Sequence, residues 1–299
     1  MVCVHEEFGT NLVEMSLAEQ VAHHGEEPGL MLSPSTRYDG EPVYSPDGTE
    51  IAFISTRNGP PQLWLTEATG KGLRQLTHLP EGSIPLTPSW APDQRTIIFS
   101  IRKDGLTNVF SCDVKSGQLN QLTFSSSRYF SPRYSKDGRY IFVSSNAEGA
   151  SRIWRIPRDN TTDPQPLFWE GALQFQIADD GRFVYFPLVD NGLRIQERDL
   201  QSGSTRTIFR SSQMPYFMMG MLLRHDTLYI PVSDNLSHSW TDVLAVNVKT
   251  GKFTVPLKIP SNGDCLFPDL DISPDQRKAV FSRVDHELSD IYSISAATR

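Results

Sequence analysis

The chain has 299 residues and a formal net charge of −7, with no Lys/Arg run, which argues against a nucleic-acid backbone as a partner. No apolar stretch approaches the roughly 18 residues of a membrane helix, and the N-terminus lacks a basic-then-apolar leader pattern. The three cysteines, Cys3, Cys112 and Cys265, are too far apart for a disulfide framework or a Cys-x-x-Cys metal site. They read as isolated thiols, Cys112 buried in a strand, and leave the compartment open.

In chain order, Thr10–Leu17 parallels Thr107–Val114 and predicts a strand. A helical turn is compatible with Leu17–His24, and Gly29–Pro34 parallels Leu73–Thr77, a short strand. Next comes Ser45-Pro46-Asp47-Gly48, where Pro suits the second position of a type I turn and Gly the left-handed position after it. The turn recurs at Ala91-Pro92-Asp93-Gln94, Ser135-Lys136-Asp137-Gly138, Ala178-Asp179-Asp180-Gly181 and Ser273-Pro274-Asp275-Gln276. A spacing of about 43 to 46 residues between the first four copies is the length of a four-stranded propeller blade. The wider gap before the last copy leaves room for one degenerate unit.

Each unit predicts four strands, A to D. The first has Pro42–Tyr44, Ile51–Ser55, Gln62–Leu65 and Leu73–Thr77. The second has Pro88–Trp90, Thr96–Ile101, Asn108–Asp113 and Leu119–Thr123. The third has Pro132–Tyr134, Tyr140–Ser144, Arg152–Ile156 and Gln165–Phe168. The fourth has Gln174–Ile177, Phe183–Leu188, Leu193–Arg198 and Thr205–Phe209. The fifth lacks the turn but keeps Thr227–Val232, Val243–Val248 and Phe253–Leu257. The sixth has Pro268–Ile272, Lys278–Val284 and Asp290–Ile294, with no D strand. Short β-branched and aromatic runs between Gly, Pro, Asp and Asn turns predict an all-β fold. The expected architecture is a six-bladed β-propeller of four-stranded antiparallel blades, six rather than seven, forming a single domain. Within it, residues 1–35 are an N-terminal segment with a ring-closing strand and residues 36–299 are the propeller. An unpaired edge is a liability, so Leu30–Leu32 is expected to close the ring by pairing with Asp290–Ile294. That leaves Val2–Leu17 surplus, packed outside or belonging to a blade cut away from a longer protein.

The run Pro42-Val43-Tyr44, Ser45-Pro46-Asp47-Gly48, Ile51-Ala52-Phe53, Ser55-Thr56-Arg57 and Trp64, closed by Arg74-Gln75-Leu76-Thr77, resembles the PD40-type repeat of TolB-like propellers. Trp90, Phe99 and Gln121-Leu122-Thr123 keep the pattern in the second unit, and Pro132, Phe142 and Ile153-Trp154 in the third. The resemblance implies one of three settings. These are the periplasmic TolB protein, which binds lipoprotein and inner-membrane partners, the extracytoplasmic sensor half of CadC-type membrane-anchored transcriptional regulators, and the propeller that gates prolyl-oligopeptidase-like serine peptidases. This sequence shows no TolB-type α/β domain, winged helix or hydrolase domain, and starting in mid-repeat fits a detached sensor half best. A periplasmic location follows if the resemblance holds, and a cytoplasmic one otherwise.

The motif residues themselves are turn and core residues, so function has to be sought elsewhere. There is no Gly-x-Ser-x-Gly elbow, no phosphate-cradling glycine loop and no His-Glu-x-x-His helix. Gly70-Lys71-Gly72 reads as a hairpin turn. His23-His24, and His286-Glu287 with Asp285 and Asp290, read as solvated loops. The turn residues Asp47, Asp93, Asp137, Asp180 and Asp275 read as self-capping, and Trp64, Trp90 and Trp154 as packing between blades. No catalytic residue, metal ligand set or cofactor is therefore expected. The best site candidates lie on the D-to-A connections, which should share one mouth of the channel: Arg37, Tyr38, Arg128, Tyr129, Phe130, Tyr216, Phe217 and Leu266-Phe267. Aromatics with Arg on loops of a rigid scaffold suit binding of a protein partner or small ligand, and a monomer is expected. The rival expectation is a propeller-type polysaccharide lyase or a peptidase gating domain. A lyase should gather histidines at a mouth, where only His78 lies close to a D-to-A connection.

Overall fold

In the computed structural model the structure describes residues 2–17, 29–124, 128–146, 152–159, 164–168, 174–189, 192–211, 221–232, 240–260 and 269–293. The strands begin with β1 (Val2–Ser16) and β2 (Leu30–Leu32). Blade 1 is β3 (Asp39–Tyr44), β4 (Glu50–Ser55), β5 (Gln62–Glu67) and β6 (Arg74–Gln75). Blade 2 is β7 (Ile84–Trp90), β8 (Thr96–Lys103), β9 (Leu106–Asp113) and β10 (Leu119–Gln121). Blade 3 is β11 (Tyr129–Tyr134), β12 (Tyr140–Ser145), β13 (Arg152–Pro157) and β14 (Gln165–Phe168). Blade 4 is β15 (Gln176–Ile177), β16 (Phe183–Val189), β17 (Leu193–Asp199) and β18 (Thr205–Ser211). Blade 5 is β19 (Leu222–Arg224), β20 (Thr227–Val232), β21 (Trp240–Asn247) and β22 (Phe253–Pro260). The last two strands are β23 (Leu270–Ile272) and β24 (Lys278–Ser293). Each of the six sheets has four strands, and every pairing within them is antiparallel.

Strands alternate their side chains between two faces, and here both faces of each blade are buried against a neighbour. In blade 1, Ala52, Leu63 and Leu65 pack with Trp90, Ile97 and Phe99 of blade 2. Ile51, Phe53 and Trp64, one residue out of phase, pack with Leu12, Leu32 and Val280 of the sixth sheet. The same division runs through the remaining blades. The fully buried Phe53, Phe99, Phe186 and Phe281 fill these interfaces. Burying each such side chain contributes about 1.5–3 kcal/mol.

The ring closes differently from the expectation. Leu30–Leu32 does not meet Asp290–Ile294; it pairs with β1, Leu32 opposite Leu12 and Leu30 opposite Glu14. β1 in turn pairs with the first half of β24, Thr10 opposite Val284 and Ser16 opposite Lys278. Sheet order is β2-β1-β24-β23, so two C-terminal and two N-terminal strands build blade 6. Asp290 is not part of a separate C strand, because β24 runs without a turn from Lys278 to Ser293 and carries it past the blade, opposite His5. The physical reason lies in the side chains. Leu12 reaches the blade 1 interface while Val13 and Met15 reach that of blade 5, so this stretch fills the two faces a third strand must fill. Hydrogen bonds join it to blade 1: Thr10 Oγ1 donates to Asp39 O at 2.8 Å and Tyr44 Oη to Glu14 Oε1 at 2.7 Å. Beyond Leu17, the helical turn expected over Leu17–His24 lies outside the described residues.

The recurring turns are held by their own side chains. Ser45 Oγ donates to Asp47 Oδ1 at 2.6 Å, and Asp47 Oδ1 accepts the Thr49 amide at 3.0 Å. Asp137 and Asp275 repeat both bonds. Asp93 and Asp180 keep the amide bond alone, because Ala stands where the Ser would be.

Candidate functional site

The A strands line the axis: β3 lies against β7 and β23, β7 against β11, and β19 against β15 and β23. In three of them the strand bends at the same place. Glu41, Thr87 and Ser131 have φ of 51°, 50° and 49°, each is followed by a proline, and the register slips across each. A left-handed non-glycine residue costs on the order of 1–3 kcal/mol, and a bulge re-aims the residues after it. The position just beyond the bulge, two residues before the Pro-Asp-Gly turn, carries Val43, Ser89 and Arg133. Gln176 and Asp271 occupy it in blades 4 and 6.

All five of these residues line a cavity of about 510 Å³ in the turn-side end of the channel. That volume falls in the ordinary range of ligand pockets. Its apolar wall includes Ile177, Met221, Leu222 and Leu270. Its charged groups are mostly paired. Arg224 donates from Nη2 to Asp271 Oδ1 at 2.6 Å and from Nε to Ile272 O at 2.8 Å. Lys136 Nζ meets Asp179 Oδ2 at 2.5 Å at the rim, with His225 Nδ1 3.8 Å from the same oxygen. Among the described residues Arg133 donates only from Nη1, to Pro132 O at 3.2 Å.

Deeper in the channel lies a second set of acids. Glu41 accepts the Thr87 amide at Oε2, and Asp269 Oδ2 accepts the Glu41 amide at 3.0 Å and the Tyr38 hydroxyl at 3.4 Å. Burial, then the neighbouring Asp269, pushes the Glu41 carboxyl up to about 8. Burial likewise raises Asp269 and Asp271 and lowers Arg133. Among the described residues no three His, Cys, Asp or Glu side chains are placed to hold a metal ion, and no helix is long and apolar enough to cross a membrane.

Comparison with known proteins bears on this ring directly. The TolB beta propeller domain family, PD40, matches residues 81–215. TolB from Acinetobacter baumannii superposes with a TM-score of 0.62 at 17% identity, over 85% of this chain and 64% of that one. The chain is a TolB-like six-bladed β-propeller. By sequence, the TolB-like propeller is 28% identical over 178 residues to an uncharacterised protein of Agrobacterium fabrum, a match covering 55% of this chain and 59% of that protein. It is 27% identical over 143 residues to an uncharacterised peptidase of Bacillus subtilis, covering 36% of this chain and 22% of the peptidase. The chain thus spans less than two thirds of the length of each.

Of the residues expected from the sequence to form a site, the described ones, Arg37, Tyr38, Arg128, Tyr129 and Phe130, sit at the other mouth of this TolB-like propeller, where the A strands begin. Arg37 and Arg128 are exposed there, and the Arg128 amide donates to Asn146 Oδ1 at 3.1 Å. Tyr38 is half-buried, with its hydroxyl on Asp269. Tyr129 is buried between blades 2 and 3 among Ile98, Val109 and Trp154, and Phe130 is half-buried beside it in β11. Tyr216, Phe217, Leu266 and Phe267 lie outside the described residues. The cavity residues carry no repeated motif that would mark them as a site. Their signal in the sequence is variation: two residues before the Asp-centred turn, the side chain differs in all five units that keep the turn.

Proposed function

We propose that the chain is a non-enzymatic binding module that receives a small ligand, or the end of a protein chain, in the turn-side cavity of its channel. One observation carries this: a cavity of about 510 Å³ whose lining differs from blade to blade at the position just before the Asp-centred turns of five blades. A rigid ring that brings different side chains to one cavity suits recognition. In this reading Arg37 and Arg128, exposed at the opposite mouth, offer a second contact surface, while Tyr129 serves as packing. Within a longer protein such a module would be the interaction domain of a TolB-like protein or the sensor half of a CadC-type regulator.

A thermal-shift screen of short peptides and small metabolites tests it, run on the wild type and on Ser89→Trp, which plugs the cavity. Compounds that raise the wild-type melting temperature should lose their effect on Ser89→Trp, since stabilisation follows occupancy. Hits that ignore the plug, or a screen with no wild-type hit, count against the cavity. Turnover of peptide or oligosaccharide by the pure chain would overturn the non-enzymatic part.

A further inference from the structure

We propose that the cavity selects an apolar monocarboxylate, the carboxylate seated on the Arg133 guanidinium and the apolar body against Ile177, Met221 and Leu222. This rests on the binding reading above and names the chemistry of its ligand. Counting charge around the cavity leads to it. Arg224 is committed to Asp271 and two carbonyl oxygens, and Lys136 to Asp179. Arg133 spends one Nη1 proton on the carbonyl of Pro132, and among the described residues its Nε and Nη2 have no hydrogen-bond acceptor. The acid behind it, Glu41, already accepts the Thr87 amide and holds its proton at neutral pH because burial raises it to about 8. Among the lining side chains Arg133, Lys136 and Arg224 face only Asp179 and Asp271, so the cavity keeps one positive charge in excess, and Arg133 feels Asp271 and Glu41 without a hydrogen bond to either. A planar fork carrying one charge matches a carboxylate, whereas a phosphate dianion would bring a second charge toward Asp271. More than half of the wall is apolar, so a hydrocarbon or aromatic body would bury against it.

Two pairs of probes supply the acid from different sources: 4-phenylbutyrate against 4-phenylbutyramide, and the peptide Ala-Ala-Phe as free acid against its C-terminal amide. Titration calorimetry on the full chain should show an acid binding about tenfold to a hundredfold tighter than its amide, the worth of hydrogen bonds to a charged group. The pair showing the larger ratio identifies the source as a free acid or a chain terminus. Arg133→Gln should bring that ratio to about one, while Arg133→Lys, which keeps charge without the fork, should keep part of it. Lys115→Gln, on the exposed turn between β9 and β10 and outside the cavity, should leave it unchanged. Circular dichroism and melting of each variant confirm the fold, and if Arg133→Gln fails to fold, the Arg133→Lys ratio decides. Acid and amide binding equally, both lost in Ser89→Trp, would overturn the carboxylate assignment and leave the binding reading standing. No binding of any probe at millimolar concentration would also overturn it, with the library screen still judging the cavity separately.

Discussion

Glu41 ties the channel to pH. Its ordinary value is 4.5, and burial holds its proton in the fold up to about 8. Between those values the native state binds more protons than the unfolded chain, so this group makes stability fall as pH rises. Glu41→Gln keeps an acceptor for the Thr87 amide and removes the titration. Denaturant midpoints measured across that window should therefore fall less steeply with pH in the variant. Asp269, buried and raised in the same direction, keeps some slope in place. A variant as steep as the wild type would show that Glu41 ionises freely. The turn glutamines make a second test. Gln94 and Gln276 have φ of 60° and 57° where the other turns place glycine. Left-handed backbone costs a side chain on the order of 1 kcal/mol, partly offset by the freedom glycine gives the unfolded chain. Gln94 is exposed, so Gln94→Gly should raise the denaturation midpoint. Gln276 Oε1 accepts the Tyr229 hydroxyl at 3.1 Å, so Gln276→Gly should gain less or nothing.

Among the elements, β1 has two jobs along its length. Thr10–Ser16 is the third strand of blade 6, while Val2–Gly9, among the described residues, pairs with the continuation of β24 alone. Deleting residues 1–35 removes half a blade and takes Leu12, Val13 and Leu32 out of two interfaces, leaving the edge of β24 unpaired. That truncation should lower the denaturation midpoint severely or prevent folding. Deleting residues 1–9 leaves Thr10–Ser16 in place and should keep the midpoint near that of the full chain. An equal loss from both deletions would show that the outer ribbon, rather than the blade strand, secures the N-terminus.

For the whole molecule, each interface is built from two adjacent blades, and joining the ends makes every blade an interior one. A closed ring should unfold in one transition, with fluorescence and circular dichroism giving the same urea midpoint. Leu12→Ala weakens the seam between blades 6 and 1. A fully buried leucine truncated in this way costs about 2–5 kcal/mol. The two probes should then separate, because blades can fray from the weakened seam. Coincident probes in the variant would mean that the seam is no weaker than the other interfaces.

The blade repeat was determined by the sequence alone. Ser-Pro-Asp-Gly fixes a turn by local backbone preference and side-chain capping, and the apolar alternation of stretches such as Ile51–Ser55 fixes a strand with two buried faces. Both are short-range effects, so blades 1 to 5 could be placed, including blade 5, where the turn is lost but Thr227–Val232 survives. Closure and the cavity were decided by tertiary structure. Leu30–Leu32 reads equally well against any open edge; only the fit of Leu12 and Val13 into two different interfaces selects β1 as its neighbour. Arg133, Asp271 and Ser89 belong to three separate repeats with nothing in common locally. They become one site because the ring carries the position before each turn to the same axis.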